Sequence, residues 1–126
     1  MNNEAVGLER AALAMLRTLG AGLAFLLVPQ PATTSEQTGL GLSVPIANEV
    51  EMEPVLLQAT VTGNNLLALM TRGTVEKAVS SAGAIGVKET LQASMLRAGR
   101  TEYRIVSVTV KRFGGAELMY ELEIEE

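Results

Sequence analysis

Apolar and polar positions change rhythm several times along this chain. In the last stretch, "AELMYELEIEE", apolar residues fall at every second place: Leu118, Tyr120, Leu122 and Ile124. Glu117, Met119, Glu121, Glu123 and Glu125 stand between them. A period of two predicts a strand with one buried and one wet face. Upstream, "EYRIVSVTVKR" sets Val106, Val108 and Val110 against Ser107 and Thr109, and Phe113-Gly114-Gly115-Ala116 joins the two runs. A Gly-Gly step between alternating runs predicts a hairpin. The first residues follow a different rhythm. Leu8, Ala12, Met15, Leu16 and Leu19 form one stripe at helical spacing, with Arg10, Ala14 and Arg17 opposite. An N-terminal helix over residues 4–19 is predicted, capped by Asn3 and ended by Gly20. The stripe serves equally a helix packed on its own domain and one that also packs on a neighbouring subunit.

"GLAFLLV" predicts a first strand, stopped at Pro29. The following "PQPATTSEQTGLGLSVPI" has no period and reads as a long exposed loop over residues 29–46. It contains Gly39-Leu40-Gly41 but no phosphate-binding fingerprint. In "NEVEMEPVLLQATVTG", Val50 and Met52 alternate with glutamates, and Leu57, Ala59 and Val61 alternate with Gln58, Thr60 and Thr62. This predicts a strand broken or bulged at Pro54, followed by a turn at Gly63-Asn64-Asn65. "LLALMTRGTVEKAV" fits a helical turn or a buried strand, since short apolar runs do not distinguish them. "SSAGAIG" reads as small and flexible. In "KETLQASMLRAGRTE", Leu91, Ala93 and Met95 alternate ahead of a turn at Ala98-Gly99-Arg100. The sum is one domain over residues 1–126, mainly β with an N-terminal α-helix. Its five or six mostly antiparallel strands (residues 22–126) form a small antiparallel β-barrel or sandwich with long loops.

Composition narrows the chemistry. The 126 residues include no Cys, His, Trp or Asp. That leaves no disulfide framework, no zinc site of the usual kind and no histidine triad; neither a metal nor a cofactor is expected. Carboxylates, Lys, Tyr and Ser/Thr remain, and an enzyme is not the expected reading. Glu49, Glu51 and Glu53 form one acidic row. Glu117, Glu121, Glu123, Glu125 and Glu126 form another. Such rows could bind a cation or supply an acid and a base, but a solubilising face that protects a strand explains them more simply. The formal net charge of −4 and the scattered Lys and Arg argue against a protein that grips phosphates. Two Phe and two Tyr offer few stacking platforms. The apolar run Leu19–Val28 is too short to span a bilayer. Arginines before it and Pro-Ala after it imitate a secretory signal, but folded structure is the preferred reading, and no membrane partner is expected.

The order of parts has a resemblance. An Ala/Leu/Arg-rich helix precedes a strand and a Pro/Thr/Gly loop. "VLLQATVTG", an "RGT" step, "AGRTEYRIVSVTV" and "RFGGAELMYELEIEE" follow. This resembles the head-closure (stopper, head–tail connector) proteins of tailed bacteriophages. Their C-terminal pattern is matched by Gly99, Tyr103, Ile105, Val106 and Val108, then Gly114, Gly115, Tyr120, Leu122 and Ile124. The middle segment "MLRAGRTE" lacks the Gly-Asp step of many relatives. The resemblance implies a virion structural protein of the neck, assembled as a homo-oligomeric ring (hexamer or dodecamer). That ring would sit between the capsid portal or adaptor and a tail terminator or tail-tube protein. It would close or line a channel through which double-stranded DNA passes without sequence-specific binding. Expected interface residues are Leu8, Arg10, Arg17, Glu121 and Glu123, with the glutamate face on the ring surface or lumen or against a neighbour's Arg or Lys. The long loop, with Gln37 and Gly39, or the middle segment over residues 63–90, with Asn64, Asn65 and Arg72, would reach the lumen or a neighbour. Alternatives are another phage connector such as a tail-completion protein, a small soluble β-barrel binding module, and a carboxylate-based hydrolase.

Overall fold

The structure, a computed structural model, describes residues 3–29, 47–60, 65–84, 86–113 and 115–126. The expected loop over residues 30–46, the centre of the Gly63-Asn64-Asn65 turn, and the neighbour-contacting residues Gln37, Gly39 and Asn64 lie outside the described residues.

The described chain is mainly β. It runs α1 (Asn3–Thr18), β1 (Gly22–Pro29), β2 (Ala47–Ala59), β3 (Leu66–Thr71), α2 (Arg72–Ser81), α3 (Val87–Ala93), β4 (Met95–Ala98), β5 (Thr101–Phe113) and β6 (Ala116–Glu125). The six strands close into an antiparallel barrel in the order β1-β2-β3-β6-β5-β4. Closure removes the free edges that an open sheet of such apolar strands would expose. Alternate residues fill the interior: Ala24, Leu26 and Val28 from β1, Val50 and Met52 from β2, Ala68 and Met70 from β3, and Tyr120, Leu122 and Ile124 from β6. The rhythm of the C-terminal strand therefore predicts its buried face, except that Leu118 is only half-buried.

Three register shifts break that rhythm, one of them between Lys111 and Arg112 of β5, whose partners Met119 and Glu117 leave Leu118 as the extra residue of β6. Between Gly22 and Ala24 of β1 the partner changes from Val55 to Met52, so Glu53 and Pro54 together stand opposite Leu23 and β2 carries one extra residue. Pro54 has no N–H for the ladder, which makes the proline the natural place for the irregularity. The third shift corrects the reading of β5. Ile105 pairs with Ile124 and Ser107 with Glu123, which leaves Val106 without a partner residue. Ile105 is buried and Val106 is 45% exposed. The extra residue reverses the strand's parity, so Val106 leaves the inward set while Val108 and Val110 still pack against the core.

The middle segment is the larger correction. "LLALMTRGTVEKAV" is a strand and then a helix, and "GVKETLQAS" contains a second short helix. The apparent alternation of Leu91, Ala93 and Met95 spans a helix-to-strand junction: Leu91 is buried, and Ala93 and Met95 are exposed. Thr71 caps α2, its hydroxyl accepting from Thr74 N–H. β3 and β4 stand opposite each other in the six-strand ring, so α2 and α3 must cross the barrel's end between them. Val75, Ala78, Val79 and Leu91 plug that end. Residues 66–84 and 86–90 are thus largely built into the domain's own wall and core, and Arg72 is the first residue of a helix rather than part of a loop.

Candidate functional site

α1 packs over β2, β3 and β6. Its stripe divides. Ala12 and Leu16 are buried, whereas Leu8, Met15 and Leu19 remain 42%, 49% and 57% exposed. Only about half of the apolar face is used by the helix's own barrel. Polar contact adds to the attachment, since Gly73 N–H donates to Glu9 Oε1 at 2.8 Å. A carboxylate at the first turn of α2 meets both an orphan N–H and the positive end of the helix dipole. Gly73 leaves the room: a Cβ there would overlap Glu9 Oε1.

Between α1, β2 and α2 lies a cleft of about 880 Å³. β3 pairs with β2 only over Leu56–Ala59, and α2 lies along part of the remaining length. Glu51, Glu53, Arg17 and Lys77 line the cleft together with Glu9 and Glu49. It is a polar, mixed-charge surface, and its carboxylates are exposed or half-buried.

The outer wall is laced by charge. Arg97 donates to both oxygens of Glu49, at 2.5 and 3.1 Å, and stacks 4.8 Å over the Phe25 ring. One side chain on β4 thereby reaches across β1 to β2. The bonds from Arg97 hold the Glu49 carboxyl below its ordinary range, although desolvation opposes the shift. On the hairpin, Arg104 pairs with Glu125, Lys111 with Glu121 at 3.9 Å and Arg112 with Glu117 at 3.2 Å. The Tyr120 hydroxyl donates to Glu117 Oε2 at 3.5 Å. Burial, and then the Glu117 charge, pushes the phenol up.

The expected interface residues separate into two groups. Leu8, Arg10 and Arg17 lie on α1, with Leu8 and the two arginines exposed. Glu121 and Glu123 find partners within their own chain. Lys111 serves the first, while Asn65 Nδ2 and Ser107 Oγ, each at 3.4 Å, serve the second. Arg72 is likewise paired, with Glu76 one turn along α2 at 2.6 Å. The acidic face of β6 is turned chiefly to β5. The Glu9–Gly73 contact was not foreseeable from local pattern, because 64 positions separate the partners. Among the described residues, no cluster of three or more potential metal ligands occurs. No protein-family model matches the chain, and neither a curated protein nor a solved structure matches it.

Proposed function

We propose that this chain is a non-enzymatic structural protein of the tailed-phage neck. Copies form a ring that joins the capsid's portal or adaptor to the tail and closes or lines the DNA channel. Support comes from the half-used stripe of α1. Leu8, Met15 and Leu19 stay exposed on a helix whose neighbouring Ala12 and Leu16 are buried. An apolar face divided in this way suits a helix held between its own barrel and another subunit. The order of helix, barrel and Gly-turn hairpin agrees with the fold that the resemblance implies. A net charge of −4 suits a wall along which DNA slides rather than binds.

A second reading, a small binding module, is favoured by the cleft of about 880 Å³, which falls in the size range of ligand pockets. Electron microscopy of the concentrated protein separates the two. Closed rings with a central channel wide enough for duplex DNA are expected. Isolated subunits at every concentration, with a small ligand protected in the cleft, would replace the ring with the module.

A further inference from the structure

One wall of the cleft is built from backbone. Asn48, Glu49, Val50 and Glu51 of β2 all line it. They are consecutive, and the side chains of a strand alternate between its two faces. Val50 is turned into the core and is 8% exposed, while Glu49 and Glu51 point outward. A cavity that touches all four therefore meets the strand edge-on. The register explains why this edge is open. β1 occupies one side of β2 from Ala47 to Val55, whereas β3 pairs on the other side only from Leu56 to Ala59. The open stretch ends where the Thr74 hydroxyl donates to the Glu53 carbonyl at 3.4 Å. From Asn48 to Met52, every second residue turns its N–H and C=O away from β1. Among the described residues, no backbone group bonds to that side.

We propose that this edge takes an extended polypeptide segment of another chain, added to β2 as a strand and carrying basic side chains at alternate positions. The unpaired backbone selects the class of ligand, since evenly spaced N–H and C=O groups are matched by another extended backbone. The side chains select its charge. Glu9 and Glu49 are engaged by Gly73 and Arg97. The carboxylates of Glu51 and Glu53 have no ion pair or hydrogen bond among the described residues. Opposite charges placed across from each other on neighbouring strands attract, so Lys or Arg suits the positions beside them. Arg17 and Lys77 line the cleft from α1 and α2 and are donors for the carbonyls on the segment's far edge. Length agrees as well. Asn48–Met52 extends about 13 Å along the strand, and Gly73–Ser81 of α2 flanks the cleft over about 12 Å. Both lengths fit a segment of about five residues. The edge is open in a single subunit, so the inference needs no ring.

Fluorescence anisotropy with a labelled, end-blocked heptapeptide of alternating lysine and valine tests it. A second peptide is N-methylated at every residue, which keeps the side chains and charges and removes the backbone donors. The first peptide should bind saturably, and the N-methylated one at least tenfold more weakly. Glu51→Lys falls at an exposed position, and far-UV circular dichroism checks that the variant is folded; it should weaken binding several-fold. Hydrogen exchange of the wild type should slow at residues 48–52 when the first peptide is added. Equal binding of the two peptides would mean charge attraction alone and overturn the added strand. Protection elsewhere, with residues 48–52 unchanged, would overturn it too. Binding undiminished by Glu51→Lys would overturn the charge selection. Failure of the first peptide to bind at millimolar concentration would overturn the whole inference and leave the ring reading, which is measured separately, standing.

Discussion

A methyl group on Gly73 would take the space of the Glu9 carboxylate, so one small substitution at α2 tests how α1 is held. Gly73→Ala should displace Glu9. A hydrogen bond to a charged group contributes about 1.5–3 kcal/mol, and the better helix propensity of Ala returns up to about 1 kcal/mol. A net loss of about 1 kcal/mol is expected in urea unfolding. Glu9→Ala should add almost nothing to it, because both changes remove the same contact. The Arg97–Glu49 pair gives a pH signature. The Glu49 carboxyl lies below its ordinary value in the folded protein. Its stabilising effect is therefore present above the unfolded carboxylate range and is lost as pH falls through the depressed value. Arg97→Met should flatten that acid limb in a plot of melting temperature against pH while leaving the neutral region unchanged in shape. Tyr120 behaves in the opposite sense. Its raised value gives stability that is present below the unfolded phenol range and lost as pH climbs through the folded one. Tyr120→Phe should remove a step lying above the ordinary phenol range from an absorbance titration of the folded protein.

At the scale of elements, alternation carried most of the legible information, and the bulges limited it. β6 was readable because Tyr120, Leu122 and Ile124 keep one parity throughout their buried run. The bulge at Pro54 was readable because a residue without an N–H cannot serve a ladder. The bulge at Val106 was not, since a valine is equally at home in a regular strand. Its consequence is measurable. Ile105→Ala should cost about 2–4 kcal/mol, as a buried large-to-small change does. Val106→Thr should stay within about 0.5 kcal/mol, as an exposed substitution does. Reversed costs would restore the simple alternation. α2 and α3 were illegible for another reason. α2 buries only Val75, Ala78 and Val79, too few to mark a stripe beside the apolar strand before it. α3 is seven residues long, and its Gly86 cap makes no side-chain hydrogen bond. Both helices owe their form to the barrel end they plug, a tertiary cause that a local pattern does not record.

At the scale of the whole molecule, the barrel satisfies its own core and most of its wall charges, and leaves α1's outer face and a hairpin tip uncovered. The apolar stripe of α1 was legible in the sequence, but its division into buried Ala12 and Leu16 and exposed Leu8, Met15 and Leu19 was not. The acidic row of β6 was legible as a wet face, but its partners on β5 became visible only once the register placed Arg104, Lys111 and Arg112 beside it. Charge on the hairpin is thus largely committed within the chain, and the proposed self-association would fall to the apolar remainder. Raised salt should then weaken assembly only slightly, since apolar contact is not screened; a light-scattering series over ionic strength reads this. Native mass spectrometry of the intact chain across concentration is the most direct test of the ring. Six or twelve copies of the 13.3 kDa subunit, in one closed species, is the result the ring requires. A single-subunit mass at every concentration would contradict it.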